Sequence, residues 1–317
     1  MKINSRLNIG PEIPDPHRLA ENAGYSFTGS QLLGMGFTLT PDERADLIRR
    51  NERNSERIFP YIGGKEVNTS PTQSYRRYVI NFGAMSLSEA EAWPELVEIL
   101  RTKVKPERDL MTSAAKRFWW RYASAAHPLY LAIAPLSRCL VTSQVTKHLV
   151  FSFQPTGRVY SKKLYVFPFE TASSFAILQS RIHEPWARLL SSTMKNDLSY
   201  AASDCFDTFP FPKTNPSAIY TDPDLERIGE KLYETRAAYM IEADIGLTKT
   251  YNRIWDRACD DAPIRTLRTL HDDLDRAVLD AYGWGDLDTS SPYFNDQVVL
   301  RLFELNSDRA RAAARQV

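Results

Sequence analysis

The sequence predicts an α+β protein in which a domain with a mixed antiparallel sheet is followed by an all-α helical domain. Between Arg138 and Glu170, short β-branched and aromatic runs alternate with turn residues, which is the pattern of an antiparallel sheet. After Pro212, apolar residues recur at helical spacing. With 43% hydrophobic and 25% charged residues, the chain has the composition of a globular protein.

The N-terminal quarter opens on an extended segment. Residues 1–24 are rich in proline, asparagine and charge, which predicts a lead-in rather than a core element. Thr40 as N-cap and Pro41 at the first helical position predict a short helix over 41–57. The β-rich string RRYVINF (76–82) predicts a strand.

Two further helices are expected before the sheet. Ser86 and Glu89 have the spacing of a capping box, which predicts a helix through SEAEAWPELVEILRTK. A second helix is predicted after Lys105-Pro106, through PERDLMTSAAKRFWWRYAS. Of Phe118, Trp119 and Trp120 in this segment, at least two are expected to pack in the hydrophobic core.

The sheet and the C-terminal helices complete the prediction. The runs RCLVTSQV, HLVFSFQP, GRVYS and KLYVFPFE predict the strands, and TASSFAILQSRIHEPWARLLSS (171–192) predicts one helix. Gly246 and Gly283 are expected to end two long helices as C-caps. The prolines of Phe209-Pro210-Phe211-Pro212 are expected to stop a strand and lead into the helices. We therefore divide the chain into a lead-in (1–24), a sheet domain (25–215) and a helical domain (216–317).

Charge is distributed unevenly along the chain. The formal net charge is +1, yet residues 101–200 carry +10, whereas residues 1–100 carry −2 and residues 201–317 carry −7. A basic block of this kind favours a face that binds a polyanion. The alternative is that its lysines and arginines are spread over a solvated surface.

Cysteine usage and hydropathy bear on the cellular setting. The three cysteines lie far apart, without the C-x-x-C spacing of a zinc knuckle, and the chain has no signal-peptide pattern at its start. The apolar runs are too short to cross a membrane. These features predict a reducing compartment, and hence a cytoplasmic protein that does not bind membranes.

Several strings resemble catalytic motifs but lack the partners that such motifs need. Ser192 and Lys195 have the S-x-x-K spacing of serine acyl-enzymes, but no KTG or SDN motif accompanies them. Gly34-Met35-Gly36 lacks the βαβ unit of a nucleotide-binding loop, and the five histidines are not spaced as metal ligands. We therefore predict no catalytic residue, no metal site and no cofactor site in this chain.

The basic block has the residue types that DNA recognition requires. Cations hold the phosphates, while amide, hydroxyl and carboxylate side chains contact base edges. The strings KRFWWRY, VTSQVTKHLVFSF and RVYSKK combine both types at predicted helix faces and strand ends. The candidates for phosphate contacts are Arg117, Arg121, Lys147, His148 and Arg158.

The segment 191–200 adds a carboxylate to this basic block. Asp197 follows Lys195 and Asn196, and a carboxylate can accept a hydrogen bond from cytosine N4. A surface that only attracts anions would have no use for this aspartate. On the residues alone, DNA sequence recognition competes with a solvated surface and with a protein-binding module.

Seven ordered blocks resemble a known family. They are FPYIGGKEVNTSPTQSYRRYVINF, ELVEILRTKVKPER, VTKHLVFSFQP, LQSRIHEPWARLLSSTM, LSYAASDCFDTFPFP, GLTKTYNRIWD and LRTLHDDLDRAVLDAYGW. In this order they look like the C-terminal half of MmeI-like type IIL restriction–modification enzymes and of large adenine methyltransferases from related phage-defence systems. The resemblance covers roughly residues 20–285.

The resemblance implies a target-recognition domain for double-stranded DNA, followed by a helical domain that helps to hold the DNA. It places base reading first at Lys195, Asn196, Asp197 and Ser199, and then at Gln144, Lys162 and Lys163. The N6-adenine methyltransferase motifs of the family, and with them the S-adenosylmethionine site, are absent from this sequence. The implied partner is therefore a methyltransferase domain or subunit. A stand-alone DNA-binding regulator, a truncated remnant and a protein-interaction module are the alternatives.

Overall fold

The computed structural model describes residues 15–111, 114–194, 197–212 and 221–315. Within these ranges the strands are β1 Phe27–Thr28, β2 Thr38–Leu39, β3 Ile58–Ile62, β4 Arg77–Ile80, β5 Arg138–Ser143, β6 Val145–Thr146, β7 Ser152–Pro155, β8 Val159–Tyr160, β9 Leu164–Phe167, β10 Ser192–Met194 and β11 Asp197–Ser199. Short 3₁₀ helices cover Ala20–Asn22, Met35–Phe37 and Glu52–Arg57.

Helices dominate the last third of the chain. The described α-helices are α1 Pro41–Arg50, α2 Gly64–Thr69, α3 Leu87–Ala90, α4 Pro94–Lys103, α5 Lys105–Asp109, α6 Ala114–Arg117, α7 His127–Ile133, α8 Ala172–Gln179, α9 His183–Leu190, α10 Ala202–Cys205, α11 Pro223–Glu242, α12 Leu247–Trp255, α13 Ala262–Tyr282 and α14 Phe294–Ala314. The predicted α+β class is confirmed. None of the described helices is both long and apolar enough to cross a membrane.

The described strands form three small sheets. Their orders are β1-β9-β5-β7, β2-β4-β3-β8 and β10-β11-β6. Every pairing is antiparallel except β3 with β8, where Tyr61 lies beside Val159 in parallel. The run GRVYS was predicted to join the main antiparallel sheet, but β8 instead leaves it for the sheet of β3. Because β8 pairs with β3, the turn between β8 and β9 lies near α2.

The predicted caps have a direct structural basis. The Thr40 hydroxyl accepts a hydrogen bond from the Glu43 backbone N–H, and the Glu43 carboxylate accepts one from the Thr40 N–H. Ser86 and Glu89 form the same reciprocal pair at α3. Such caps satisfy backbone donors that the first helical turn leaves open. Gly283 ends α13 in the left-handed region, at φ 71°, as predicted.

Four predicted helices are shorter than expected or divided. The helix predicted over 41–57 ends at Arg50 and is followed by a 3₁₀ helix, and the one through SEAEAWPELVEILRTK divides into α3 and α4. The segment 171–192 forms α8 and α9 rather than one helix, because Ser180 is extended and its hydroxyl accepts a hydrogen bond from the Ile182 N–H. The predicted helix through PERDLMTSAAKRFWWRYAS is represented by α5 and α6 among its described residues. In α5, the buried Arg108 side chain donates to the Leu32 and Arg121 carbonyls.

The hydrophobic residues form two clusters. The smaller one surrounds β2, β3, β4 and α4 and includes Trp119 and Trp120, whose predicted burial is confirmed. The larger one runs from the main sheet through Phe209 and Phe211 into the helices α11–α14. Burial of each such large side chain stabilises the fold by about 1.5–3 kcal/mol.

This larger cluster is continuous across the predicted domain boundary. The Phe-Pro-Phe-Pro string is fixed by the helices, since the Tyr282 hydroxyl donates to the Pro210 carbonyl at 2.8 Å. Asn22, within the predicted lead-in, is fully buried and donates to the Phe206 and Phe209 carbonyls. The division at 24 and 215 stays a prediction.

Candidate nucleic-acid interface

The ends of three strands meet at Gln144. This residue follows β5 and precedes β6, so the chain passes there from the main sheet to the small sheet of β6, β10 and β11. Its backbone N–H donates to the Lys163 carbonyl at 2.9 Å, and its carbonyl accepts from the Tyr200 N–H at 2.8 Å. The turn after β8 and the end of β11 are therefore held on either side of Gln144.

An open cleft of about 600 Å³ lies beside this junction. Its walls are α2, the end of β5 with β6, the β8–β9 turn, the start of β11 and the start of α12. The lining residues are Met35, Tyr61, Gly63, Gly64, Lys65, Glu66, Asn68, Thr69, Arg77, Ser143, Val145, Thr146, Lys147, Ser161, Lys163, Asp197 and Thr248. We call this site the strand-end cleft.

The charge of the strand-end cleft comes from three exposed lysines. Lys65, Lys147 and Lys163 have exposed side chains, and no salt bridge joins them to another residue in the described ranges. The Arg77 guanidinium, in contrast, pairs with the buried Glu66 carboxylate at 2.6 Å. Because this pair is internally neutralised, the lysines leave the cleft attractive to anions.

Asp197 lines the same cleft as these lysines. It is partly buried at the start of β11, where its register partner in β10 is Met194. Next along the strand, Leu198 is buried and paired with Thr146, which fixes the backbone beside Asp197. A base-reading carboxylate needs such a rigid support.

Two predicted phosphate-contacting residues share one acceptor. The Asn252 side-chain Oδ1 accepts from Lys147 Nζ at 2.7 Å and from His148 Nε2 at 2.9 Å. Burial lowers the pKa of His148, although the contact with Asn252 acts in the opposite direction. The imidazole is therefore neutral at pH 7, and its Nε2–H donates to Asn252.

The other predicted base-reading residues are not among those that line the cleft in the described part of the chain. Ser199 ends β11 and pairs with Val145, one residue from Gln144. Lys162 lies next to Lys163, but its ammonium donates to the Gln31 side chain at 3.1 Å. Lys195 and Asn196 lie outside the described residues, between β10 and β11 in sequence.

Three predicted phosphate-contacting arginines have contacts elsewhere. Arg121 Nε donates to the Met85 carbonyl at 2.8 Å. Arg158 donates to the Gln154 side chain at 2.8 Å. Arg117 is exposed on α6, with its guanidinium over the Phe118 ring. None of them lines the strand-end cleft within the described residues, and their role in DNA binding stays a prediction.

Lys65, Asn68 and Thr248 line the cleft but were not predicted as site residues. The first two lie on α2, in the string GGKEVN, where the glycine pair was the available signal. A Cβ on Gly64 would lie 2.9 Å from the Ser143 hydroxyl oxygen, so a side chain at the start of α2 would require that hydroxyl to move. The Ser143 hydroxyl is buried and has no hydrogen-bond partner among the described residues.

The comparisons with known proteins agree with this architecture. The family model of the MmeI target recognition domain matches residues 20–213. A solved structure of the type IIL restriction-modification enzyme MmeI in complex with DNA is similar, with a TM-score of 0.69 and 17% sequence identity. The likeness covers 98% of this chain and 39% of that chain, so this chain spans about two fifths of the length of MmeI. No curated protein sequence matches.

The fold and the family match define a target-recognition module followed by a set of helices. The chain belongs to the MmeI target recognition domain family.

Proposed function

We propose that this chain binds duplex DNA and recognises a specific base sequence through the strand-end cleft. The observation that carries the proposal is the family match over residues 20–213, which includes the strands and turns that bring Lys163 and Asp197 to one cleft. The similar solved structure is that of a protein in complex with DNA. The basic block of residues 101–200 supplies charge of the required sign.

The side chains divide into two roles by chemistry. Exposed lysines at the rim, Lys65 and Lys147, bind phosphates, because an ammonium is a point charge with little geometric selectivity. Asp197 accepts from the exocyclic amine of cytosine, and Lys163 donates to guanine O6 or N7. Gln144 lies at the same junction, and Ser199 pairs with the adjacent Val145. These two polar side chains join Asp197 and Lys163 in contacting the bases.

The finer proposal concerns the enzyme that this module serves. We propose that it directs an N6-adenine DNA methyltransferase of a restriction–modification or phage-defence system. The methyltransferase domain or subunit would hold S-adenosylmethionine and receive the flipped adenine, while this module fixes the position of the DNA. The family match and the DNA-bound relative support this arrangement.

Selection from a random duplex pool tests sequence recognition. The chain is expected to enrich one short motif, and its affinity should fall steeply as salt rises, because bound phosphates release counterions. Asp197→Asn should change the preference at one base pair by about 1–3 kcal/mol and leave the salt dependence unchanged. Enrichment of no motif, or binding that is insensitive to salt, would reject the proposal.

Methylation-sensitive sequencing tests the finer proposal. A host that carries the intact locus should show adenine methylation at the selected motif, and deletion of this chain should abolish it. Exchange of residues 195–199 for those of a relative should move the methylated motif. Specific binding without methylation that depends on this chain would instead indicate a stand-alone DNA-binding regulator.

A further inference from the structure

A side chain from the helical part of the chain contacts Lys147 of the strand-end cleft and the neighbouring imidazole of His148. Asn252 lies on α12, more than a hundred residues from Lys147 and His148 in sequence, yet its Oδ1 accepts from both. Lys147 also lines a second groove with Arg188 and the half-exposed Trp255. Its ammonium therefore stands where the cleft and this groove meet.

The position of Asn252 is fixed by its neighbour in the helix. The Tyr251 side chain is buried, and its hydroxyl lies 3.1 Å from Arg236 Nη1 and 3.2 Å from His271 Nε2. Buried Arg236 in turn donates to the Phe151 carbonyl at 2.8 Å, next to β7. A buried network with satisfied partners holds its members rigidly. Asn252 is consequently presented on a support anchored to the main sheet.

The chemistry of the shared acceptor matters as much as its position. An amide oxygen accepts from two donors without cancelling the charge of either, whereas a carboxylate would neutralise Lys147. Two donors on one oxygen also require that the His148 Nε2 carries a proton. The amide at position 252 therefore orients Lys147 while leaving its charge available for a phosphate.

We propose that Asn252 is a positioning residue, through which the helical part of the chain aims Lys147 at the DNA backbone, with the neutral His148 as the second donor to the same amide oxygen. The inference rests on the proposed DNA-binding function. Under this proposal, α12 contributes to DNA affinity by positioning Lys147 and not by contacting DNA directly.

A double-mutant cycle tests the proposal. Asn252→Ala should weaken binding of the selected duplex by about 2–10-fold, the equivalent of one hydrogen bond. In the Lys147→Ala background, Asn252→Ala should reduce DNA affinity by less than about half as much in free energy, because the ammonium that Asn252 positions is absent. Equal losses in both backgrounds would overturn the proposal. Gln297→Ala, which removes an exposed amide on α14, is the matched control and should leave affinity unchanged.

Asn252→Asp separates positioning from simple packing. This variant keeps the shape of the side chain but pairs with Lys147, so the slope of log affinity against log salt should fall by about 0.9, as in Lys147→Ala. A merely structural residue would lower affinity without changing that slope. An unchanged slope in Asn252→Asp, together with a normal melting temperature, would overturn the proposal.

A measurement without DNA distinguishes this inference from the proposed function. The ¹⁵N spectrum of the wild-type His148 imidazole should show the Nε2–H tautomer, and Asn252→Ala should lose that preference. An unchanged tautomer would overturn the contact itself. If the wild-type chain bound no DNA, both proposals would fail. If it bound DNA without coupling between positions 147 and 252, the assignment of Asn252 alone would fail.

Discussion

Gly246 lies directly against Thr69, and this contact joins the helical part of the chain to the wall of the strand-end cleft. A Cβ on Gly246 would stand 2.4 Å from the Thr69 carbonyl carbon. Gly246 was predicted to be the C-cap of a helix, but it is the N-cap residue of α12, with an ordinary extended backbone. The glycine is required for close approach of α2 and α12 rather than for a left-handed conformation.

Gly246→Ala should therefore destabilise the protein. The added methyl group meets the backbone of α2, which cannot rotate away, so we expect the free energy of unfolding to fall by about 1–3 kcal/mol. Urea unfolding measures this loss. Gly157→Ala is the matched control, because a Cβ at Gly157 meets no atom within 4 Å. Equal stability of the two variants would contradict the close contact.

The contact of Gly64 with Ser143 predicts a rescue. Gly64→Ala alone should destabilise the protein, because its Cβ would lie 2.9 Å from the Ser143 hydroxyl oxygen. Ser143→Ala should change stability by less than about 0.5 kcal/mol, because its hydroxyl has no described partner. In that background the nearest remaining Ser143 atom is the Cβ at 3.5 Å.

Gly64→Ala should consequently become neutral or stabilising in the Ser143→Ala background, since alanine is also a better helix former than glycine by about 1 kcal/mol. Thermal unfolding of the two single variants and the double variant measures the cycle. Additive losses would show that the strain on Gly64→Ala comes from another neighbour.

Lys65 and Lys163 should affect DNA binding in different ways. Lys65→Ala removes a phosphate-binding charge, so we expect the salt slope to fall by about 0.9 and affinity to drop for every sequence alike. Lys163→Ala should weaken binding to the preferred sequence more than to others, because it removes a base contact. Fluorescence anisotropy over a salt series, with preferred and scrambled duplexes, measures both. Lys231→Ala on α11 is the control and should match the wild type.

Acid should destabilise the protein through two buried histidines. Burial lowers the pKa of His183 to about 3, and burial together with Arg236 and Arg181 lowers the pKa of His271 to about 3. In the unfolded chain both imidazoles titrate near 6.5, so the unfolded state binds more protons as pH falls below that value. Their stabilising contribution is complete above pH 6.5 and is lost progressively toward pH 3.

Asp275 acts in the opposite direction over part of this range. Burial raises the pKa of this carboxyl to about 6 against the effect of Arg181, so between pH 4 and 6 the folded state binds its proton more readily.

His271→Gln should reduce the pH dependence of the free energy of unfolding by up to about 1.4 kcal/mol per pH unit. Urea unfolding between pH 7 and 4 measures this difference. An identical pH profile in wild type and His271→Gln would show that His271 titrates normally in the fold.

The α+β class and most element positions could be predicted because their signals are local. Thr40 with Glu43, and Ser86 with Glu89, form caps whose donors and acceptors lie three residues apart. At least two of Phe118, Trp119 and Trp120 were expected in the core because large aromatic side chains favour burial, and both tryptophans are buried. The helix over 171–192 was predicted as one because every residue of α8 is buried, which removes the periodicity that would reveal its end at Ser180.

The sequence by itself determined the basic block and the polar segment around Asp197, which are contiguous strings, and the family, which is carried by seven ordered blocks. Only the tertiary structure decided that β8 pairs in parallel with β3, which brings Lys163 to α2, and that Asn252 contacts Lys147. These relationships join residues about a hundred positions apart. Whether such contacts form depends on how whole elements pack, and no short stretch of sequence encodes that packing.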